Sequence, residues 1–83
     1  MEKRIYSLNL MTYVCYKTGI IPVIGIDEES KACYAIFPEN NEILAVIIEF
    51  RKEDLVVPLH DYLNTYRTIK ERMKEVYNNG TKR

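Results

Sequence analysis

The feature that most constrains the fold of this sequence is a dense apolar run at residues 43–50, ILAVIIEF, in which Glu49 is the only polar residue. The run is too short to cross a membrane, which requires about 20 apolar residues in a helix. It also holds more apolar residues than one face of a surface helix requires. The run must therefore bury most of its side chains, either inside the domain or against something else.

The length of this run does not decide between a helix and a strand that is buried on both faces. Its β-branched residues favour a strand. The flanking residues favour a helix, because Asn40 or Asn41 can cap its start, Glu42 lies in its first turn, and Arg51 and Lys52 follow its end. We predict a middle helix over residues 41–51 and keep the strand as the alternative.

The chain has 83 residues, of which 47% are hydrophobic and 29% charged. These values are typical of one folded domain with a small core, and we predict a single domain over residues 1–83. Cys15 and Cys33 fit no zinc-site spacing, and we expect buried, reduced thiols. No leader peptide or membrane-spanning run is found, so we expect a cytoplasmic protein with no membrane partner.

The remaining segments predict an α+β fold. Ser7 or Asn9 can cap a short helix over residues 9–18, which Gly19 would end. Two β-branched and aromatic runs flank the polar stretch 27–31 and predict an antiparallel hairpin. Both faces of its second strand are largely apolar, so we expect helices to cover each face of the sheet.

The C-terminal segment predicts a long amphipathic helix over residues 59–77, with Pro58 at its first position. Its apolar stripe follows helical spacing, at positions 59, 62, 63, 66, 69, 73 and 76. Asn78, Asn79 and Gly80 are expected to end the helix. We expect residues 1–4 and 79–83 to be frayed.

These elements resemble a family of small domains of unknown function from low-GC Gram-positive bacteria and their phages. The resemblance rests on YSLNLMTYVCYKTG, on the hairpin ending YAIF, and on VPLHDYLNTYRTIK, and it covers about residues 4–74. Family members typically have Asp where this chain has Asn9. The resemblance implies an α+β fold and a phage or mobile-element setting, and it supplies no catalytic residue.

The residues themselves predict no enzyme. His60 is the only histidine, and its neighbour Asp61 points elsewhere on a helix. The acidic stretch 27–29 lacks the alternating oxygen ligands and the distal Glu of a calcium loop, so a solvated turn is expected. No phosphate-binding or nucleophile motif is present. We therefore predict no catalytic residue, cofactor, metal site or small-molecule substrate.

The charge distribution leaves a nucleic-acid alternative open. From residue 64 onward the chain carries six basic and two acidic residues, a net charge of +4. Arg67, Lys70 and Lys74 could contact a phosphate backbone, with a tyrosine near enough to stack on a base. The overall pI of about 6.6 is low for a nucleic-acid-binding domain.

Protein interaction is the function that we favour. If residues 41–51 are helical, Ile43, Val46, Ile47 and Phe50 form one stripe, and Leu44 and Ile48 are left for another surface to bury. Seven tyrosines and no tryptophan suggest that some tyrosine rings are half exposed, where they suit either a protein contact or the rim of the core. We expect a homo-oligomer or a complex with a host protein, and our candidate interface residues are Leu44, Ile47, Ile48, Tyr16 and Tyr34.

Overall fold

The described residues form short strands and helices in a small α+β fold. The computed structural model describes residues 2–52 and 55–81, with side chains described as far as residue 78. The elements are β1 (Glu2–Ile5), α1 (Leu8–Thr18), β2 (Val23–Ile26), β3 (Cys33–Pro38), α2 (Asn41–Phe50) and α3 (Leu59–Thr81). The predicted helices and hairpin are therefore confirmed, and β1 is an addition to them.

The sheet has the strand order β1-β3-β2, and β3 is antiparallel to both of its neighbours. Ala35 in β3 is opposite Ile5 in β1 and Ile24 in β2. These three side chains share one face of the sheet, since side chains alternate along a strand. All three are buried, so this face forms the floor of the core.

The core lies between that face and all three helices. Met11 and Val14 from α1, Ile43 and Ile47 from α2, and Ile69 from α3 join the buried residues of the sheet in one apolar cluster. Among the described residues, nothing covers the opposite face comparably, because Tyr34 and Ile36 are only half buried there. Our expectation of helices on both faces is wrong. Three short strands and one small core need only a single helical layer.

The N-terminal residues are ordered by the sheet. We expected residues 1–4 to fray, but residues 2–4 belong to β1, in which Lys3 is opposite Phe37. Pairing with β1 satisfies the backbone groups on one side of the central strand and buries Ile5. Met1 and residues 82–83, which we also expected to fray, lie outside the described residues.

The helix ends follow local rules with small shifts. The Ser7 hydroxyl accepts a hydrogen bond from the Leu10 amide (3.2 Å), and Gly19 ends α1 with φ of 74° while its amide donates to the Cys15 carbonyl. The Asn40 side chain accepts from the Ile43 amide at 2.9 Å and starts α2, so the strand alternative is wrong. Pro58 immediately precedes α3, and its carbonyl accepts from the Tyr62 amide.

The end of α3 is later than we predicted, because the backbone stays helical through Gly80 to Thr81. One glycine costs a helix about 1 kcal/mol, which a long and already nucleated helix tolerates.

The hairpin loop over residues 27–31 is confirmed. The Asp27 carboxylate accepts from the amides of Glu29 (2.9 Å) and Ser30 (3.4 Å), and these hydrogen bonds lower the pKa of Asp27. Lys31 completes the turn with φ of 63°. The acidic stretch is therefore a turn whose first carboxylate caps its own backbone.

Candidate interaction surface

Helix α2 separates its apolar residues onto two faces. Ile43 is fully buried and Ile47 is 6% exposed, whereas Leu44 is 38% exposed and Ile48 is 64% exposed. Ala45 is also exposed and lies on the same side as Leu44 and Ile48. We call the surface formed by Leu44, Ala45 and Ile48 the outer face of α2.

Not every predicted interface residue belongs to this face. The predicted division of α2 into a core-facing stripe and an outward-facing pair is confirmed, because Val46 and Phe50 are half buried on the side of Ile43. Ile47 was also a candidate interface residue, but it lies one turn after Ile43 and packs in the core. The core of the domain therefore already covers most of this side chain.

A polar anchor holds α2 against α1. The Tyr13 hydroxyl donates a hydrogen bond to the Glu49 carboxylate, and the Lys17 ammonium forms an ion pair with the same carboxylate at 3.3 Å. The pKa of Tyr13 is raised to about 12, mainly by burial and secondly by the contact with Glu49. The bonds from Tyr13 and Lys17 lower the pKa of Glu49. The Tyr13 and Phe50 rings also pack with centroids 5.5 Å apart.

This anchor adds to the packing of Ile43 and Ile47 in the core, which leaves the outer face of α2 towards solvent. Sequence reasoning missed it, although Glu49 is the single polar residue in the apolar run. A charged residue at such a position indicates a partner on a neighbouring element. The position of α1 was needed to identify Tyr13 as that partner.

Tyr34, another candidate interface residue, packs against side chains of its own chain. Its ring is packed beside Gly25, where a Cβ atom would lie 2.6 Å from it. The Arg4 guanidinium carbon lies 4.4 Å from the ring centroid, and the Tyr6 ring centroid lies 5.5 Å away. The Tyr6 hydroxyl in turn donates to Asp27 at 3.3 Å. We call Arg4, Tyr6 and Tyr34 the sheet-face cluster.

The sheet-face cluster covers part of the open side of the sheet with the chain's own side chains. Val23 at the edge of the same side is 68% exposed. Tyr16, the other tyrosine among the candidate interface residues, is half buried, and its ring packs against Tyr62 with centroids 6.3 Å apart. Both predicted tyrosines therefore already have intramolecular aromatic partners.

The basic residues of the nucleic-acid alternative lie along one side of α3. Arg67, Lys70 and Lys74 are exposed and spaced by three and four residues, so they form one row. Within the described part of the chain, none of the three forms an ion pair. Lys70 and Lys74 line a shallow groove whose other lining residues are Glu71, Met73 and Tyr77.

The described residues show no cluster of side chains that could bind a metal ion. His60 is exposed near the start of α3. Across residues 2–52 and 55–78, no three His, Cys, Asp or Glu side chains are placed to hold a metal ion together. Cys15 and Cys33 are buried and unpaired, as predicted, and burial raises the pKa of Cys15. Among the described helices, none has both the length and the apolar content to span a bilayer.

The fold and this surface define a small α+β domain that exposes an apolar face on a firmly anchored helix. The family comparison matches residues 2–75 to a domain of unknown function, DUF5659, and the chain therefore belongs to that family. The predicted membership in a family of unknown function is thus confirmed. No match was found among curated proteins or among solved structures.

Proposed function

We propose that this protein is a non-enzymatic interaction module whose docking surface is the outer face of α2. The observation that carries the proposal is the exposure of Leu44 and Ile48 on a helix that core packing and the Tyr13–Glu49–Lys17 anchor hold in place. Covering the exposed parts of both side chains is worth on the order of 2 to 3 kcal/mol. A second protein surface would provide that stabilisation.

The setting that we propose is cytoplasmic, in a phage or another mobile element, where the protein acts as an accessory factor. This part of the proposal rests on the sequence resemblance. The genes adjacent to the coding sequence test it: structural or regulatory phage genes on both sides support the setting, and a stable chromosomal operon contradicts it.

The docking surface can be tested by photo-crosslinking in cells. A benzoylphenylalanine at position 48 should give a discrete crosslinked product, because a partner lies against this side chain. The matched control is the same probe at position 23, since Val23 is 68% exposed and Ile48 is 64% exposed. Mass spectrometry of the product identifies the protein that was captured.

Comparing crosslinking at the two positions distinguishes a specific contact from nonspecific apolar association. A discrete product at position 48 that is absent at position 23 supports the proposal, whether the captured chain is a second copy or a different protein. Equal diffuse labelling at both positions, or no product at either, contradicts it.

A second candidate function is nucleic-acid binding through α3. It is favoured by the row of Arg67, Lys70 and Lys74, in which no ion pair within the described residues neutralises the charge. Fluorescence anisotropy with labelled single-stranded DNA at two salt concentrations tests it. Affinity that falls steeply with salt, and that is lost in a Lys70→Glu/Lys74→Glu variant, would favour this candidate. The Ile48→Glu variant should then bind DNA as the wild type does.

A further inference from the structure

We infer that the free edge of β2 and the facing side of α3 bind an extended peptide of another protein, which adds to the sheet as a further strand antiparallel to β2. Among the described strands, β2 pairs only with β3, so its other edge is free. This edge shares no residue with the outer face of α2. The inference therefore goes beyond the proposed function.

The backbone of β2 presents hydrogen-bonding groups along this edge. Opposite residues of an antiparallel pair alternate between those that exchange backbone hydrogen bonds and those that do not. The Asp27 amide donates to the Ala32 carbonyl at 2.9 Å, so Asp27 is of the first kind. Ile26 and Ile24 lie one and three residues earlier and are of the second kind. Their N–H and C=O groups therefore point away from β3, where another extended backbone can pair with them.

The side chains of β2 also leave this edge open to pairing. At the opposite edge of the sheet, β1 carries Glu2, Lys3 and Arg4, and charged side chains discourage the addition of a strand. Strand β2, with the sequence VIGI, carries no charge. Pro22 lies immediately before it and cannot donate a backbone hydrogen bond. The edge therefore suits a short added strand along residues 23–26.

A groove of about 820 Å³ lies between this edge and α3. One wall is formed by residues 21–24, and the other by Arg72, Glu75, Val76 and Asn78 of α3. A strand added to β2 would occupy this groove. Every second side chain of that strand would face α3, because side chains alternate along a strand.

The α3 wall determines the chemistry of the peptide. Arg72 and Glu75 are exposed, and neither forms an ion pair within the described residues. Their spacing places their Cβ atoms about 5 to 6 Å apart on one side of the helix, close to the roughly 6.8 Å between alternate residues of a strand. Val76 follows directly and is half buried. The complementary peptide therefore directs an acidic, a basic and an apolar side chain towards α3 at alternate positions.

Nuclear magnetic resonance of the isotope-labelled protein with two probe peptides tests the inference. The peptides are TETKTVT and its reverse TVTKTET, both with blocked ends, since the direction of α3 relative to the added strand decides which order fits. At saturation, one of them should slow hydrogen exchange at the Ile24 and Ile26 amides about tenfold or more. The Val23 and Gly25 amides, which point to β3, should change much less.

N-methylated forms of the peptide that binds test the strand pairing itself. In an antiparallel pair, the central lysine is opposite a residue whose backbone groups point outward, so its N–H bonds to β2. Methylation of that nitrogen should abolish binding. Methylation of the neighbouring threonine nitrogen, which points away from β2, should leave the affinity within a few-fold of the parent peptide.

Charge variants test the role of α3. Glu75→Arg should weaken binding about tenfold, because a basic peptide side chain then meets a like charge. The matched control is Glu71→Arg, a change of the same kind one turn earlier and outside the groove, which should have no effect. The Arg72→Glu/Glu75→Arg variant should instead prefer the peptide in which glutamate and lysine are exchanged. Far-ultraviolet circular dichroism confirms that each variant is folded.

The contrary results are distinct from those for the outer face of α2. Failure of both peptides to bind the wild type, or equal effects of the two N-methylations, would overturn the strand addition. Slow exchange at Ile24 and Ile26 in concentrated protein without peptide would show that a second copy fills the groove, and would overturn the assignment to another protein. In cells, a discrete crosslinked product at position 23 that differs from the product at position 48 would support this groove and leave the proposed function unchanged.

Discussion

The open side of the sheet and the outer face of α2 both carry apolar side chains, but the chain covers them differently. On the sheet, the Tyr34 ring packs beside Gly25 and contacts Arg4 and Tyr6. On α2, Ile48 is 64% exposed. The difference shows that apolar content alone does not identify a docking surface. Exposure of one apolar side chain does not identify it either, since Val23 at the edge of the open side is 68% exposed.

The two regions are both held rigidly, and they differ in whether the chain's own side chains cover them. The anchor from Tyr13 and Lys17 to Glu49 holds α2 on α1, so its outer face is presented in one orientation. A rigid exposed face loses little conformational entropy when it binds a partner. The sheet-face cluster is also ordered, but its contacts are already made within the domain.

The largest predicted effect separates the two faces of α2. Ile43→Ala should destabilise the domain by about 3 kcal/mol, because Ile43 is fully buried and its loss leaves a cavity. Ile48→Ala should change the stability of the monomer by less than about 0.5 kcal/mol. Urea unfolding at low protein concentration, followed by circular dichroism, measures both. Similar losses from the two substitutions would mean that the faces are not distinct.

The sequence could predict most of the helical architecture. The apolar stripe of α3, the caps at Ser7 and Asn40, and the turn at residues 27–31 are local patterns, and each is found in the structure. Strand β1 could not be predicted in the same way. It has only four residues, of which Glu2, Lys3 and Arg4 are charged, and its pairing with β3 is a long-range contact.

The next predicted effect concerns the sheet-face cluster. Tyr34→Ala should destabilise the domain by about 1.5 to 2 kcal/mol, because the ring loses its packing beside Gly25 and its contacts with Arg4 and Tyr6. A double-mutant cycle with Arg4→Ala should give a coupling of about 0.5 to 1 kcal/mol for the cation–π contact. Strict additivity of the two changes would contradict the proposed covering role of the cluster.

A smaller effect is expected at Gly25. Gly25→Ala should destabilise the domain by about 1 kcal/mol, because the added Cβ would lie 2.6 Å from the Tyr34 ring and would displace it. In a Tyr34→Ala background the same substitution should cost much less, since the ring is gone. Thermal unfolding of the four variants tests this. If Gly25→Ala destabilises the domain equally with and without the Tyr34 ring, the glycine is needed only for its backbone conformation.

The smallest effect concerns the anchor of α2. Tyr13→Phe should destabilise the domain by about 0.5 to 1 kcal/mol at pH 7, because the hydrogen bond to Glu49 is lost. The folded-state pKa of Tyr13 is raised from 10 to about 12, so its contribution is complete below pH 10 and is lost as the pH rises towards 12. Urea unfolding at pH 9 to 12 should therefore show a shallower decline for Tyr13→Phe than for the wild type. Parallel declines would contradict the role of this hydroxyl.

The candidate surface was only partly predictable for a physical reason. Helical spacing places Leu44 and Ile48 together, and both are exposed as expected. The spacing cannot show which side of the helix meets the sheet, because that depends on distant residues such as Tyr13. Ile47 was placed by spacing in the stripe with Ile43 and was also named an interface candidate, and the structure shows it in the core. The contacts of Tyr34 with Arg4 and Gly25 could not be predicted, because both residues are far away in sequence.

The central claim is that the outer face of α2 is covered by another protein surface while the open side of the sheet is not. Solvent paramagnetic relaxation of isoleucine methyl groups tests it most directly, in dilute solution, at millimolar concentration, and in an extract of cells that naturally express the protein. We predict that the Ile48 methyl is accessible in dilute solution and becomes protected in at least one of the other conditions. The Ile36 methyl on the sheet should keep its accessibility, and the Ile43 methyl should be protected throughout. An Ile48 methyl that stays equally accessible in all three conditions would contradict the account.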